Sequence, residues 1–355
     1  MDIRLEKIEA GQGKSRPKEN ALGFGQYFSD HMLVMSYDAQ QGWHDAVVRP
    51  YQNFSLDPAA MVLHYGQAIF EGLKAYKGKD NHVYLFRPKA NIERMNLSAE
   101  RMCMPQLPVA DVLAGIKELL RIDQDWIPSA KGSTLYIRPT MIASEAVLGV
   151  RPAKQYLFYV ILSPVGAYYP EGFNPVKIFV TDKYVRAVPG GVGNAKTAGN
   201  YAASLMAARE AQQAGYTQVL WLDAVERKYI EEVGTMNIFF VIGDEVITPP
   251  LSGSILPGIT RDSVLRITRD WGLKVVERRI TIDEVFAANE DGSLQEIFGT
   301  GTAAVISPVG SLHYNGKDCL IHGGQTGPLS QKLFDEIQAI QYGEKEDPYG
   351  WVERL

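Results

Sequence analysis

The sequence predicts an α/β or α+β protein built from two unequal domains, and three observations lead to this class. The chain has 355 residues, which is more than a single hydrophobic core usually serves. Strand-like and helix-like segments alternate along most of it. Residues 163–177, SPVGAYYPEGFNPVK, contain three prolines and two glycines, a composition typical of a linker.

These observations also predict domain boundaries. We expect a smaller N-terminal α/β domain over residues 1–168, an interdomain linker over 169–184 and a larger C-terminal domain over 185–355. Residues 1 to about 25 are rich in charge, and they predict an arm that is mobile or wraps a partner.

Apolar periodicity and capping residues predict the elements in chain order. The predicted strands are 135–142, 156–162, 177–181, 218–223 and 237–242, with further strands in LKVVERR and LQEIFGTGTAAVISPV. The predicted helices are 89–102, 111–122, 200–215, 260–272 and 330–343, with Asp111, Asn200 and Thr260 as expected caps and Gly215 as an expected stop.

Composition excludes several classes of function. A net charge of −5 argues against general nucleic-acid binding, which needs a basic face. The two cysteines form no CxxC and the six histidines form no HExxH, so neither a disulfide scaffold nor a metal site is expected. The longest apolar run, residues 156–162, is too short to span a bilayer. We therefore expect a cytoplasmic protein.

Residues 190–197, GGVGNAKT, raise the question of what Lys196 does. The stretch resembles a phosphate-binding loop, but Ala195 stands where such a loop needs a glycine. Several residues also separate it from the preceding predicted strand and the following predicted helix. Two other interpretations are a lysine that carries out chemistry and a solvated lysine in a surface loop. The last is usual for any one lysine, because most lysines are exposed.

Three later stretches add a carboxylate and anion-binding groups. YIEEVGTMNIFFV (229–241) carries two adjacent acids on a strand, of which at most one faces any given site. SGSILPGITRDS (252–263) opens a helix whose N-terminus favours an anion, although a plain cap is the commoner reading. FGTGTAAVISP (298–308) lets the backbone approach a ligand closely, or forms a bulged strand. A lysine, a buried acid and phosphate seats together suit pyridoxal phosphate (PLP).

GNAKTAGNY, EEVGTMNIFFV, LPGITR and FGTGTA closely resemble the branched-chain aminotransferases, which are fold-type IV PLP enzymes of the class IV aminotransferase family. The resemblance continues upstream through HYGQAIFEGLKAY (64–76), NIERM, LYIRPT, LGV and LSPVGAYY. It covers most of the chain from about residue 60 to about residue 310, with the motifs in order. It therefore implies a two-domain fold-type IV enzyme whose C-terminal domain binds PLP.

The resemblance implies a role for each matching residue. Lys196 bonds to the cofactor aldehyde and moves the proton, Glu232 binds the ring nitrogen and Tyr201 contacts the phenolic oxygen. The cofactor phosphate is expected at Arg94, Ile259, Thr260 and Thr302. The substrate residues implied are Tyr65, Phe70, Tyr136, Arg138, Val150, Tyr168, Thr235 and Ala303.

Two of these implications concern specificity and assembly. Arg138 is expected to receive the side-chain carboxylate of glutamate or 2-oxoglutarate, while the aromatic residues surround a methyl-rich side chain. In this family the residues matching Tyr65 and Val150 come from the neighbouring subunit, which implies a homodimer. Without the resemblance, these aromatics would be interpreted as core, Arg94 as a solvated helix arginine and Arg138 as a strand arginine paired within the structure. Ala304 and Ser307 stand where some animal members carry a redox-active CxxC, so no thiol switch is expected.

The expected reaction is reversible ping-pong transamination of L-leucine, L-isoleucine or L-valine with 2-oxoglutarate. Two other fold-type IV enzymes, a D-amino-acid aminotransferase and an aminodeoxychorismate lyase, share the lysine and the glutamate and remain alternatives. A P-loop nucleotide hydrolase is the remote alternative.

Overall fold

The computed structural model describes residues 1–9, 11–166 and 173–355. The chain divides into two compact units. Unit 1 comprises Met1–Tyr168, Ala195–Ala198 and Ala339–Leu355, and unit 2 comprises Tyr169–Asn194 and Gly199–Gln338. No helix among the described residues is long and apolar enough to cross a membrane.

Strands and helices alternate as the sequence predicts. The strands are β1 (Arg4–Leu5), β2 (His31–Asp38), β3 (Gly42–Pro50), β4 (Ala68–Phe70), β5 (Leu73–Lys77), β6 (Val83–Phe86), β7 (Thr134–Ala143), β8 (Gln155–Val165), β9 (Val176–Thr181), β10 (Gln218–Leu222), β11 (Ile230–Val233), β12 (Asn237–Ile242), β13 (Glu245–Thr248), β14 (Lys274–Glu277), β15 (Leu294–Gly301), β16 (Val305–Tyr314), β17 (Lys317–Leu320) and β18 (Val352–Arg354). The helices are α1 (Met61–Tyr65), α2 (Pro88–Arg101), α3 (Val109–Ile122), α4 (Ala198–Ala203), α5 (Leu205–Gln213), α6 (Ile259–Asp270), α7 (Ile282–Glu290) and α8 (Pro328–Gln341).

Unit 1 is built on one mostly antiparallel sheet of order β1-β3-β2-β8-β7-β5-β6-β18, with β4 paired to β7. Helix α3 places Val112, Ile116 and Leu119 on one fully buried face, at the spacing expected of an amphipathic helix. Strand β7 alternates, with Leu135 and Ile137 buried in the core. The intervening side chains of β7 therefore lie on the opposite face of the sheet, where the site described below is found.

Unit 2 has a second mixed sheet, of order β11-β10-β9-β16-β15-β12-β13-β14, with β17 paired to β16. Strand β9 runs parallel to both β10 and β16, and β12 lies antiparallel between β15 and β13. All four residues of β11 are buried, including its two glutamates. This burial requires that both carboxylates find polar partners within the protein.

The structure groups two segments differently from the predicted domain boundaries. Residues 195–198 and 339–355 were assigned to the C-terminal domain, but both belong to unit 1. Strand pairing explains this, because β18 pairs with β6 and Thr197 forms an antiparallel bridge with Ile69. A three-residue strand such as β18 carries no periodic signal from which its pairing could be predicted.

The first residues of the predicted N-terminal arm pair with unit 1 itself. Strand β1 pairs in parallel with β3, and the N–H of Glu6 donates to the carbonyl of Val48 at 2.8 Å. Farther along, the N–H of Ile8 donates to Nε2 of the buried His31 at 3.1 Å. An arm that is mobile or wraps a partner stays a prediction for the rest of this segment.

The residues predicted as helix N-caps lie inside their helices instead. Pro108 and Gly258 occupy the cap positions of α3 and α6, so Asp111 and Thr260 lie inside their helices. Asn200 lies inside α4 and donates to the carbonyl of Val192 at 2.8 Å. The single helix predicted over 200–215 is interrupted between α4 and α5, and Gly215, at φ +86°, follows α5 as predicted.

Candidate active site

The segment that carries Lys196 is a short extended stretch beside β4. Thr197 bridges to Ile69, and the N–H of Phe70 donates to the carbonyl of Lys196 at 3.0 Å. The N–H of Lys196 donates to Ser98 Oγ at 2.9 Å. A phosphate-binding loop would instead direct this amide at its ligand. The backbone pairing thus contradicts the P-loop alternative.

The side chain of Lys196 is half-buried, with Nζ 4.8 Å from the centroid of the Phe70 ring. The pKa of the Lys196 amine is lowered to about 8, mainly by burial; the charge of Glu71 opposes this shift, and those of Arg94 and Arg138 contribute to it. An amine with this pKa is neutral in an appreciable fraction of molecules near neutral pH. It can therefore act as a nucleophile or accept a proton.

Arg94 forms a buried, two-bond ion pair with Glu71. Its Nε donates to Oε1 and its Nη2 donates to Oε2, both at 2.8 Å, and Glu71 is fully buried. Oε2 also accepts the N–H of Gly72 at 3.1 Å. The sequence analysis missed Glu71, although an acid inside the apolar stretch AIFEGLKAY signals a buried partner for a cation.

Phe70, Tyr136 and Arg138 form a cluster on the face of β7 opposite the core. The Arg138 guanidinium lies 4.7 Å from the Phe70 ring centroid and 5.2 Å from that of Tyr136, to whose hydroxyl its Nη2 donates at 3.1 Å. Its Nε is buried without a hydrogen-bond partner among the described residues. Gly72 makes room for this cluster, because a Cβ there would lie 1.9 Å from the Tyr136 hydroxyl.

Two other predicted substrate residues are more exposed than this cluster. Tyr65 ends α1 and is 40% exposed, and Val150 lies after β7 and is 88% exposed. The structure therefore unites Phe70, Tyr136 and Arg138 and leaves Tyr65 and Val150 exposed. The predicted substrate residue Tyr168 falls outside the described residues.

In unit 2 a narrow cleft brings together three residues predicted from separate motifs. Tyr201 of α4, Glu232 of β11 and Thr235 of the following turn line it, together with Arg186 and Leu256. Glu232 is buried and Tyr201 half-buried, whereas Thr235 is exposed. The predicted ring-binding and substrate-side residues of this unit thus share one cleft.

Glu232 has two partners that the sequence analysis did not identify. Its Oε2 lies 2.5 Å from Nη2 of Arg186, and its Oε1 accepts from Nδ2 of Asn237 at 3.0 Å. Arg186 precedes the glycine-rich stretch and carries no local motif, so only the tertiary structure places it here. The neighbouring Glu231 lines a different cavity, as the alternation of a strand requires.

Asn237 connects Glu232 to the predicted phosphate seat. Its Nδ2 also donates to the carbonyl of Leu256 at 2.9 Å, in the loop that leads into α6. Gly258 is required there, since a Cβ would lie 1.9 Å from Asn237 Oδ1. Helix α6 then begins with Ile259 and the buried Thr260, and its first turn presents backbone amides and a hydroxyl suited to an anion.

Thr302 and Ala303 lie in the half-buried turn between β15 and β16. The glycines before them also make room for a buried methionine, which was not predicted. A Cβ on Gly299 would lie 2.8 Å from Met236 Cε, and one on Gly301 would lie 3.1 Å from Met236 Cγ. The approach of this backbone to a ligand stays a prediction.

Comparison with known proteins identifies the family. The family model described as amino-transferase class IV matches residues 68–312. Branched-chain-amino-acid aminotransferase 2 of Bacillus subtilis (strain 168) is 57% identical over 339 residues, which are 96% of this chain and 93% of that protein. Branched-chain-amino-acid transaminase 1 of the same strain is 54% identical over 353 residues, 99% of each chain.

Solved structures agree with this placement. The branched-chain aminotransferase of Thermoproteus uzoniensis with norvaline is 27% identical, with a TM-score of 0.76 over 91% of this chain and 99% of that one. The branched-chain amino acid aminotransferase of Escherichia coli is 27% identical, with a TM-score of 0.73 over 91% of this chain and 98% of that one. These matches confirm the predicted fold class. The chain therefore belongs to the class IV aminotransferases, within the group of branched-chain-amino-acid aminotransferases.

Proposed function

We propose that this protein catalyses reversible transfer of the amino group between L-leucine, L-isoleucine or L-valine and 2-oxoglutarate, yielding branched-chain 2-oxo acids and L-glutamate. The observation that carries the proposal is Lys196, a half-buried amine with a pKa of about 8 beside an aromatic ring and a buried ion pair. The names of the two Bacillus subtilis relatives support the substrate class over a D-amino-acid aminotransferase or a lyase.

The available side chains fit PLP, the cofactor of this family. Lys196 offers an amine for its aldehyde, Glu232 a buried carboxylate for its ring nitrogen, and Tyr201, from the same cleft as Glu232, a hydroxyl for its phenolic oxygen. When bound, PLP supplies an electron sink for the substrate α-carbon. The residues that we assign to its phosphate are Arg94, Ile259, Thr260 and Thr302.

Lys196 has the properties of the group that moves the proton in this reaction. Its Nζ accepts the proton released from the substrate α-carbon, and the resulting ammonium later returns one. A pKa of about 8 lets the amine occupy either state at modest cost near neutral pH. The bonds to Ser98 and Phe70 fix its backbone, so only the side chain needs to move.

The cluster around Arg138 supports acceptance of two unlike substrates. The Phe70 and Tyr136 rings offer apolar surface to a methyl-rich side chain, while the Arg138 guanidinium between them can bind the side-chain carboxylate of glutamate. The Nε of Arg138, which has no partner among the described residues, supplies a donor for that carboxylate. Tyr65, Val150, Tyr168, Thr235 and Ala303 stay predicted substrate residues.

We further propose a cytoplasmic homodimer in which Tyr65 and Val150 serve the partner's substrate pocket. The high exposure of both side chains in the single chain supports this assignment. Cys103 and Cys319 are both free thiols, which suits a reducing compartment. Sedimentation analysis of the purified protein checks the dimer directly.

The test of the proposed function is a transamination assay on the PLP-loaded enzyme. We expect 2-oxoglutarate-dependent formation of 2-oxo acids from L-leucine, L-isoleucine and L-valine. D-Leucine and D-alanine serve as controls and should not react. Turnover of the D-amino acids with none of the L-amino acids would refute the proposal in favour of the D-amino-acid alternative.

A further inference from the structure

Glu231 is a buried carboxylate to which the proposed function assigns no role. It precedes Glu232 on β11 and is only 7% exposed. Its Oε1 accepts a hydrogen bond from Ser254 Oγ, whereas Oε2 is buried without a partner among the described residues. Burying a carboxylate with only one oxygen hydrogen-bonded costs free energy of folding. A buried acid at this position is therefore expected to have a function.

A continuous set of contacts connects Glu231 to Glu232. The carbonyl of Ser254 accepts from Nη2 of Arg186 at 2.5 Å, and the same Nη2 lies 2.5 Å from Glu232 Oε2. Ser254 therefore contacts Glu231 through its hydroxyl and Arg186 through its backbone. Gly193 packs directly against Ser254, since a Cβ there would lie 2.2 Å from the Ser254 carbonyl oxygen.

The charges in this cluster do not balance. Glu231, Glu232 and Arg186 carry a net charge of −1 when both acids are ionised. Of the other charged groups that face Glu231, Arg279 pairs with Glu226 at 3.2 Å. Asp223 is occupied by four backbone N–H donors, those of Val225, Glu226, Lys228 and Tyr229. The cluster thus favours one additional positive charge next to Glu232.

Glu231 also borders a cavity of about 370 Å³ that is lined by Asp223, Glu226 and Arg279 among others. Burial raises the pKa of the Glu231 carboxyl, while the Ser254 bond and the Arg186 charge oppose that rise. Glu231 is therefore ionised, and the cluster negative, only above this raised pKa. As the pH falls through it, the extra charge is lost.

We propose that Glu231 is a positioning residue that, through Ser254 and Arg186, keeps the Glu232 site negative so that the ring nitrogen of bound PLP stays protonated. This inference rests on the proposed role of Glu232. The single positive charge of Arg186 then acts on two carboxylates, those of Glu231 and Glu232, and does not fully neutralise Glu232. The effect acts through charge and orientation, without contact between Glu231 and the cofactor.

The test is ¹⁵N NMR of holoenzyme reconstituted with ring-¹⁵N-labelled PLP, recorded as a function of pH. In Glu231→Gln the pKa of the ring nitrogen should fall by about one unit. A charge in direct contact with a titrating group shifts its pKa by about 1–3 units, and Glu231 acts from farther away. Glu231→Asp should restore most of the wild-type value. Ser254→Ala, which removes the hydroxyl connection and keeps both carboxylates, should shift the titration in the same direction as Glu231→Gln.

Asp244→Asn is the matched control, because it removes one negative charge of unit 2 at an exposed position whose ion-pair partner is Lys274 and not a member of the Glu231 cluster. It should leave the ring titration unchanged. An unchanged titration in Glu231→Gln and Ser254→Ala, or an equal shift in Asp244→Asn, overturns the inference. A wild-type ring nitrogen that is unprotonated at neutral pH instead refutes the role of Glu232, so failure of the underlying proposal is recognised separately.

Discussion

The chain contains two buried arginine–glutamate pairs that differ in how completely their groups are used. In the first, both oxygens of Glu71 accept from Arg94. In the second, Arg186 reaches one oxygen of Glu232 and shares its Nη2 with the carbonyls of Gly193 and Ser254, while its Nε has no partner among the described residues. We infer a division of labour: the first pair holds an arginine in place with one acid, whereas in the second the Arg186 guanidinium is divided among several acceptors next to Glu232.

The largest expected effect comes from breaking the first pair. Glu71→Gln removes the carboxylate that accepts from both Nε and Nη2 of the buried Arg94, which should lower the free energy of unfolding by about 3–5 kcal/mol. Glu232→Gln should cost only about 1–2 kcal/mol, because Arg186 keeps two carbonyl acceptors and Glu231 nearby. Urea denaturation of the cofactor-free protein measures both values, and equal losses would remove the distinction between the pairs.

Arg138 offers a smaller effect that separates the two substrates. Arg138→Ala should lower kcat/KM for the glutamate half-reaction by about 10- to 100-fold, because a hydrogen bond to a charged group contributes about 1.5–3 kcal/mol. The leucine half-reaction should change much less, since the Phe70 and Tyr136 rings remain. Single-turnover absorbance with each amino acid measures both rates. Equal losses in the two half-reactions would contradict the proposed role.

The pKa of Lys196 tests whether the first pair also affects the reactive amine, because the charges of Glu71 and Arg94 both act on it. The neutral amine is the reactive form, so the rate at which the cofactor-free enzyme takes up PLP should rise as the pH approaches 8 and level off above it. An ordinary lysine, with a pKa of about 10.4, would give a rate that still rises at pH 9. Glu71→Gln removes a charge that favours the ammonium form and should move the plateau to lower pH. A plateau that stays in place would show that the Glu71 charge does not reach the amine.

Much of the site was predictable because its chemistry lies in contiguous stretches. Lys196 and Glu232 each sit in a local motif, and the alternation of β7 places Tyr136 and Arg138 on one face from spacing alone. The predicted strands and helices follow from periodicity for the same reason.

The partners of these residues were not predictable from spacing. Arg186 and Glu71 act through contacts between segments distant in sequence, and Asn237 acts across the turn between β11 and β12. Of the three, only Glu71 carries a local signal, as an acid inside an apolar stretch. The contact of Gly299 and Gly301 with Met236 was not predictable either, because a pattern does not show which side chain packs against a glycine.

The central claim is that Lys196 is the amine that bonds to PLP, and the absorption spectrum of the purified protein tests it most directly. We predict a yellow wild-type enzyme, a Lys196→Ala variant without the yellow band, and a Lys74→Met variant that keeps it. Lys74 is the matched control because burial lowers the pKa of its amine to about 8 as well. A yellow Lys196→Ala variant, or a wild-type protein that stays colourless with added PLP, would contradict the account.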